Sequence, residues 1–392
     1  MTLTSGAAGL PKRSSGPPRD LVLAGHCLRF TADAQGLTDD ALAVLAPPCS
    51  IARPSATNPG WSIHIALASV SAGRRRGHPV LSWADIGRRL ELVDVAGGRL
   101  VLAGQYRQGS AETLIEVDAQ SQRTRLLLPS GDEPSRRWPD WVGRMFFGTR
   151  LLADGWYLMH AAAVSVDTDV GPQAVVFLAG SHGGKSTLAH RASVELSAKF
   201  MSDDLVLLRP SSGGVIAVGW PTRVSIPLEL LNAVTHERPT TATALNTFGG
   251  SSRRHRLVLS PHEYASMFDI QRTGPTMVGA VVVVSPTSAT SPGRHGLEVD
   301  GSIGVDRLGS ALTVAAQIPA QRLMMLDLLG VAGPPAQLLR STEIGQAGLL
   351  AALRSAEVAV VGLRVPDMSR LPSLPVWDAL AAHLPWIMGS AS

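Results

Sequence analysis

The apolar positions of this chain fall into two textures that meet near residue 135. From Leu21 to about Pro134 they form short runs broken by Gly, Pro, Asp and Ser. Leu21–Leu23, Ser62–Ala68, Leu90–Val95, Arg99–Ala103, Glu112–Val117 and Thr124–Leu128 have strand length, with turn signals at Gly97-Gly98 and Ser130-Gly131. A small, mostly β domain is predicted over 21–135, interrupted by a loop at Pro47–Gly60. Between Trp138 and Asp154 the period becomes helical, with Trp141, Met145, Phe146, Leu151 and Leu152 on the repeat. Trp138 and Trp156 read as core or domain-interface aromatics rather than ligand stackers.

From Tyr157 onward strand-like and helical runs alternate, which predicts an α/β layer within a second domain over 136–392. Gln173–Leu178, Leu205–Leu208, Leu257–Leu259 and Val358–Val365 read as strands. Leu188 to about Leu196, Ala311–Leu329 and Gly345–Ala356 read as helices, and Val376–Met388 as a closing helix. Thr235–Arg254 and Pro286–Arg294, rich in Thr, Ser, Gly and Pro, are predicted loops, and no internal repeat is visible.

Composition narrows the classes. Hydrophobic residues make up 45% and charged residues 17% of 392, which excludes a largely disordered chain. A formal charge of +4 suits an acidic ligand such as a nucleotide without requiring a nucleic-acid partner. The triplet Arg74-Arg75-Arg76 reads as a solvated loop. Cys27 and Cys49 supply neither a disulfide framework nor metal-ligand spacing, so a reducing cytoplasm is expected. Residues 1–20 read as a flexible tail without the apolar core of a signal peptide. Apolar stretches such as Met277–Val284 fall short of the ~20 residues that span a bilayer, so no membrane partner is expected.

Almost all the basic charge is arginine; the three lysines are Lys12, Lys185 and Lys199. Lys185 ends the run Ala179-Gly180-Ser181-His182-Gly183-Gly184-Lys185-Ser186-Thr187, between the strand-like Gln173–Leu178 and a helical segment. That is the context of a phosphate-binding loop. Glycines let successive backbone N–H groups converge on phosphate oxygens, and the helix opening at Ser186 adds its positive N-terminus. Lys185 reaches the β- and γ-phosphates, and the Ser186 hydroxyl is a ligand for Mg²⁺. The strict pattern has glycine where Ala179 stands, and many such loops have glycine where His182 stands.

Eighteen residues beyond Lys185 comes Asp203-Asp204, followed by the apolar Leu205–Leu208. Only a short helix fits between, so the chain is expected to return in a strand beside the first, with both aspartates near the phosphates. Two adjacent carboxylates divide the work there, one on metal and one accepting the proton of a nucleophile. His160 precedes the loop strand in His160-Ala161-Ala162-Ala163-Val164; alone, it reads as a satisfied structural histidine.

Taken together, these elements resemble the catalytic domain of HPr kinase/phosphorylase and its relatives, including HPr-kinase-like proteins of modified-peptide biosynthesis. The resemblance rests on His160–Val164, Ala179–Thr187 and Ser202-Asp203-Asp204, and covers roughly Trp156–Leu230. It implies an α/β fold: a P-loop kinase core of the HPr kinase type with a mostly β N-terminal domain. It implies ATP and Mg²⁺ as cofactors, a peptide or protein Ser/Thr hydroxyl as acceptor, and a homo-oligomer. By resemblance, Gly180–Thr187 binds the triphosphate, His160 positions phosphate, Asp204 is the general base, and Asp203 orients metal or substrate. A metal-linked glutamate about 25 residues past the acidic pair would be Glu229.

The glycine-rich signature of the bifunctional regulators is missing; Pro227-Leu228-Glu229-Leu230-Leu231 stands there instead. This points away from HPr and dephosphorylation, towards another hydroxyl acceptor such as a biosynthetic precursor peptide. Arg253, Arg254 and Arg256 either contact triphosphate or form a solvated basic loop. A small-molecule hydroxyl kinase and a non-catalytic nucleotide-binding regulator are the alternative functions.

Overall fold

The computed structural model describes residues 17–34, 36–54, 60–68, 78–82, 89–96, 99–105, 109–130, 133–227, 256–286, 297–325, 346–365, 371 and 373–388. The fold is mixed α/β, in two compact units. One takes Met1–Leu42 and Ile51–Gly143, the other Ala43–Ser50 and Arg144–Ser392.

The first unit is built on a nine-stranded sheet. In chain order its strands are β1 (Arg19–Leu23), β2 (His26–Ala32), β3 (Ser50–Ala52), β4 (Trp61–Leu67), β5 (His78–Ser82), β6 (Arg89–Ala96), β7 (Arg99–Gln105), β8 (Thr113–Asp118) and β9 (Arg123–Leu128). In space they run β3-β1-β2-β4-β9-β8-β7-β6-β5, with β2–β4 and β4–β9 parallel. Period-two patterning decides which face is dry: Leu28 and Phe30, Trp61, Ile63 and Ile65, and Leu126 and Leu128 are all buried. β2 and the helix α1 (Asp39–Leu45) are elements beyond those the apolar pattern predicts, and β3 lies within the stretch expected to be loop. Seven helical residues show less than two full periods, so α1 leaves little pattern to read. The helix α2 (Glu133–Ala153) contains the division between Gly143 and Arg144.

The second unit is layered about another sheet. Its strands are β10 (Tyr157–Met159), β11 (Ala161–Thr168), β12 (Gly171–Leu178), β13 (Lys199–Ser202), β14 (Val206–Ser211), β15 (Gly214–Gly219), β18 (Thr276–Pro286), β19 (Glu298–Asp300) and β20 (Ala359–Val365). The order is β10-β14-β15-β18-β12-β11-β13. β20 lies parallel to the later part of β18 and pairs with β19 on its other edge. β16 (Val224–Pro227) and β17 (Arg256–Leu259) form a separate antiparallel pair.

Helices cover both faces. Val175 and Phe177 of β12 point to one face, with α3 (Lys185–Glu195), Tyr264 of α4 (Pro261–Phe268) and Trp377 of a later helix, α6 (Val376–Ala381). Ala174, Val176 and Leu178 point to the other, beneath Leu308, Leu312 and Ala316 of α5 (Val305–Met325). A strand buried on both faces needs apolar residues at every position, hence the continuous run Ala174–Leu178.

Two expectations are corrected. The strand that leads into the acidic pair, β13, does not lie beside β12: β11 intervenes, antiparallel to both. Two reversals make β13 run in the same sense as β12, so their C-terminal ends still share an edge. The expected closing helix is also two pieces, α6 and a 3₁₀ turn at Pro385–Met388. Pro385 has no N–H to carry the helix ladder forward.

Candidate functional site

Three sequence motifs meet at one edge of the second sheet, and strand register accounts for it. Ala161 pairs with Leu178, so His160, just before β11, stands level with the loop that follows β12. Ala163 pairs with Ser202, so Asp203 and Asp204 emerge from β13 at the same edge. At ~4.8 Å per strand, the three lie within about 10 Å across the sheet. The backbone N–H of His160 donates to the Ala315 carbonyl at 2.7 Å, which ties that corner to α5.

After Leu178 the chain turns sharply. Gly183 N–H donates to the Gly180 carbonyl at 3.1 Å, closing a turn with Ser181 and His182 at its centre. His182 has φ +58° and Gly184 φ +84°, both left-handed, and Gly184 caps α3. A Cβ at Gly183 would stand 2.6 Å from the Ala179 methyl and 3.0 Å from the Gly180 carbonyl oxygen. The alanine at 179, where the strict motif has glycine, thus occupies the space that a side chain at 183 would need.

Lys185 is 5% exposed. Its ammonium donates to the carbonyls of Ala179 (3.1 Å) and Gly180 (3.0 Å). Burial lowers its pKa below the ordinary lysine range, and the Asp204 carboxylate acts in the opposite sense. The Ser186 hydroxyl donates to the Asp203 carbonyl at 2.9 Å, so the start of α3 is joined directly to the end of β13. Thr187 follows on the first turn, and Gly180, Ser181 and His182 are on the outer part of the loop.

The two aspartates differ in environment. Asp203 is 5% exposed, and its Oδ2 accepts from the Ser225 backbone N–H at 3.0 Å. The side chain of Asp204 is 53% exposed, and its Oδ1 lies 3.3 Å from His160 Nε2. Ser202 Oγ organises the corner: it donates to the Trp220 carbonyl and accepts from the N–H groups of Asp204 and Leu205. The open carboxylate is therefore held at its main chain and faced by an imidazole, while its neighbour is tied inward.

Behind the loop lies a layer that sequence reading missed. His190 Nδ1 is 3.0 Å from the Tyr264 hydroxyl, and Phe200 and Phe268 pack against Tyr264. Burial pushes the His190 pKa down to about 4, partly offset by Glu195. Burial, reinforced by Asp203, pushes the Tyr264 phenol well above its ordinary range. A readable signal existed for the start of α4. Ser260 and Glu263 form a reciprocal capping box, with Pro261 in the first turn. The contact from Tyr264 to His190 spans 74 residues and has no local signature.

Known proteins add little. No family model and no curated protein matches the chain. Among solved structures, it is similar to the Hpr(Ser) kinase/phosphatase from Coxiella burnetii, with 11% identity over 59% of this chain and 99% of that one. The TM-score is 0.26, too low to carry any argument about fold or chemistry.

Glu229, Arg253 and Arg254 lie outside the described residues. Among the described residues no group of three or more His, Cys, Asp and Glu could hold a metal ion. At the start of α3 the Ser186 hydroxyl stands beside the end of β13, where the two aspartates follow. This hard-oxygen donor set fits Mg²⁺, which usually takes one or two protein ligands and completes its shell with phosphate and water. No helix among the described residues is long and apolar enough to cross a membrane.

Proposed function

We propose that this chain is an ATP-dependent phosphotransferase that phosphorylates a serine or threonine hydroxyl of a peptide or protein. The observation that carries the reading is the His160–Asp204 contact at 3.3 Å, on the sheet edge that also holds the loop of Lys185 and Ser186. The motif resemblance supplies the acceptor class, and a biosynthetic precursor peptide is the preferred acceptor.

Backbone N–H groups of Gly180–Thr187 and the N-terminus of α3 cradle the phosphates. Lys185 exchanges two loop carbonyls for β- and γ-phosphate oxygens. Ser186, with an aspartate, would hold Mg²⁺, which would supply charge neutralisation for the transferring phosphate. Glu229 is proposed as a further metal ligand on resemblance alone. The acceptor hydroxyl attacks the γ-phosphorus in line; the new O–P bond forms as the bond to the β,γ-bridging oxygen breaks. ADP leaves, and the hydroxyl proton passes to Asp204, oriented by His160. Asp203 holds the corner in place through Ser225.

The test offers candidate Ser/Thr peptides with ATP and Mg²⁺ to wild type, Lys185→Ala and Asp204→Asn, and seeks a phosphate adduct by mass spectrometry. An adduct made by wild type and lost in both variants supports the reading. Tight nucleotide binding without transfer to any acceptor, unchanged in Asp204→Asn, would replace it with a regulatory nucleotide-binding role.

A further inference from the structure

His182 is placed at a cost that nothing around it repays. It occupies the third position of the turn closed by Gly183 N–H and the Gly180 carbonyl, with φ +58°. At that position glycine or asparagine is favoured, because a Cβ crowds the backbone when φ is positive. The cost is of order 1 kcal/mol. Its side chain is exposed, and among the described residues it has no hydrogen bond or ion pair to compensate. Packing does not select histidine here, and although the left-handed region admits histidine more readily than most side chains, glycine would meet it without the Cβ cost.

The charges around the loop suggest what does. Lys185, the cation at the base, is buried and held on loop carbonyls. On α3 the further titratable groups are His190, Arg191 and Glu195, with His190 on Tyr264 and Arg191 on Glu195. Facing the loop from the ends of β11 and β13 are His160, Asp203 and Asp204, with His160 beside Asp204. His182 is therefore a solvent-facing group on the loop that can gain positive charge and is bound to no other side chain. Its backbone lies among the N–H groups that would cradle phosphate.

We propose that His182 contacts the terminal phosphate of the bound triphosphate, donating a hydrogen bond as imidazolium and making nucleotide affinity depend on pH near neutrality. This rests on the phosphate-loop reading above and adds a residue to it. Histidine is suited to the role because its charge changes between about pH 5 and 8. A charge-assisted bond to phosphate is also stronger than a neutral one.

The experiment is calorimetric titration with ATP at pH 6 and pH 8, on wild type, His182→Asn and His182→Gly. Both replacements tolerate positive φ, so the loop is kept, and thermal unfolding of His182→Gly should be unchanged or raised. For wild type, Kd should rise about tenfold from pH 6 to pH 8 beyond any rise in the variants, the value of one charge-assisted bond. ATP's own ionisation acts on all three proteins and cancels. Equal pH dependence in wild type and variants overturns the role of His182 while leaving the loop a phosphate site. No ATP binding by wild type at either pH overturns both.

Discussion

The contact between residues 179 and 183 allows a quantitative test of how this loop differs from the common pattern. A methyl added at Gly183 would stand 2.6 Å from the Ala179 Cβ, about 1 Å inside the ~3.5–4.0 Å optimum for two carbons. Gly183 has no positive φ, so Gly183→Ala adds overlap without backbone strain. Overpacking of this kind costs about 1–3 kcal/mol, and we expect about 2 kcal/mol. Ala179→Gly alone should cost about 0.5–1 kcal/mol through added chain entropy. In the double variant the methyl–methyl clash is gone, and the Gly180 carbonyl oxygen, at 3.0 Å, becomes the nearest atom. The double variant should then be more stable than the sum of the single changes by at least about 1 kcal/mol. Urea unfolding of the four proteins at pH 7 measures this coupling without assuming any activity. Additivity within about 0.5 kcal/mol would refute the exchange of space between the two positions.

Asp204→Asn should lower phosphoryl transfer by about 10²–10⁴ while ATP affinity stays within a few fold, as read by single-turnover kinetics beside calorimetry. Lys185→Ala should weaken ATP binding as well. Acidification should unfold the second unit partly through His190. Its folded pKa of about 4 lies below the unfolded 6.5, so the unfolded state binds the proton first and stability falls as pH drops through that window. From pH 7 to pH 5 this group alone should remove about 2 kcal/mol, a loss absent from His190→Asn in denaturant titrations. Arg191 donates to the carbonyls of Leu371 and Leu374 and pairs with Glu195, which also accepts from Trp377. Arg191→Ala should therefore destabilise by about 3 kcal/mol in thermal or urea unfolding.

The parts of the site that sequence disclosed are those written within one stretch of chain. An apolar run, a glycine cluster and a short helix are contiguous, so β12, the loop and α3 could be placed from their order. His160 and Asp203-Asp204 were found by spacing and resemblance, but spacing does not state strand order. The insertion of β11 between β12 and β13 is a matter of pairing, and Ala163 with Ser202 leaves no mark in either segment. The different surroundings of the aspartates were equally hidden. One donor is the backbone of Ser225, and every residue type except proline carries such an N–H. The Tyr264–His190 contact depends on two helices packing on one face, beyond the reach of any local periodicity.

The position of β11 also bears on how the site comes into being as the chain folds. β11 and β12 are joined by a tight hairpin, Thr168 pairing with Gly171, and can form from neighbouring residues alone. The pairing of β11 with β13 must wait until the intervening thirty-odd residues, loop and helix included, have been brought back. A hairpin with the loop attached would present the backbone cradle but no carboxylate, and His160 would face no partner. In refolding experiments, recovery of a competent site should therefore follow collapse and report the docking of β13 on β11.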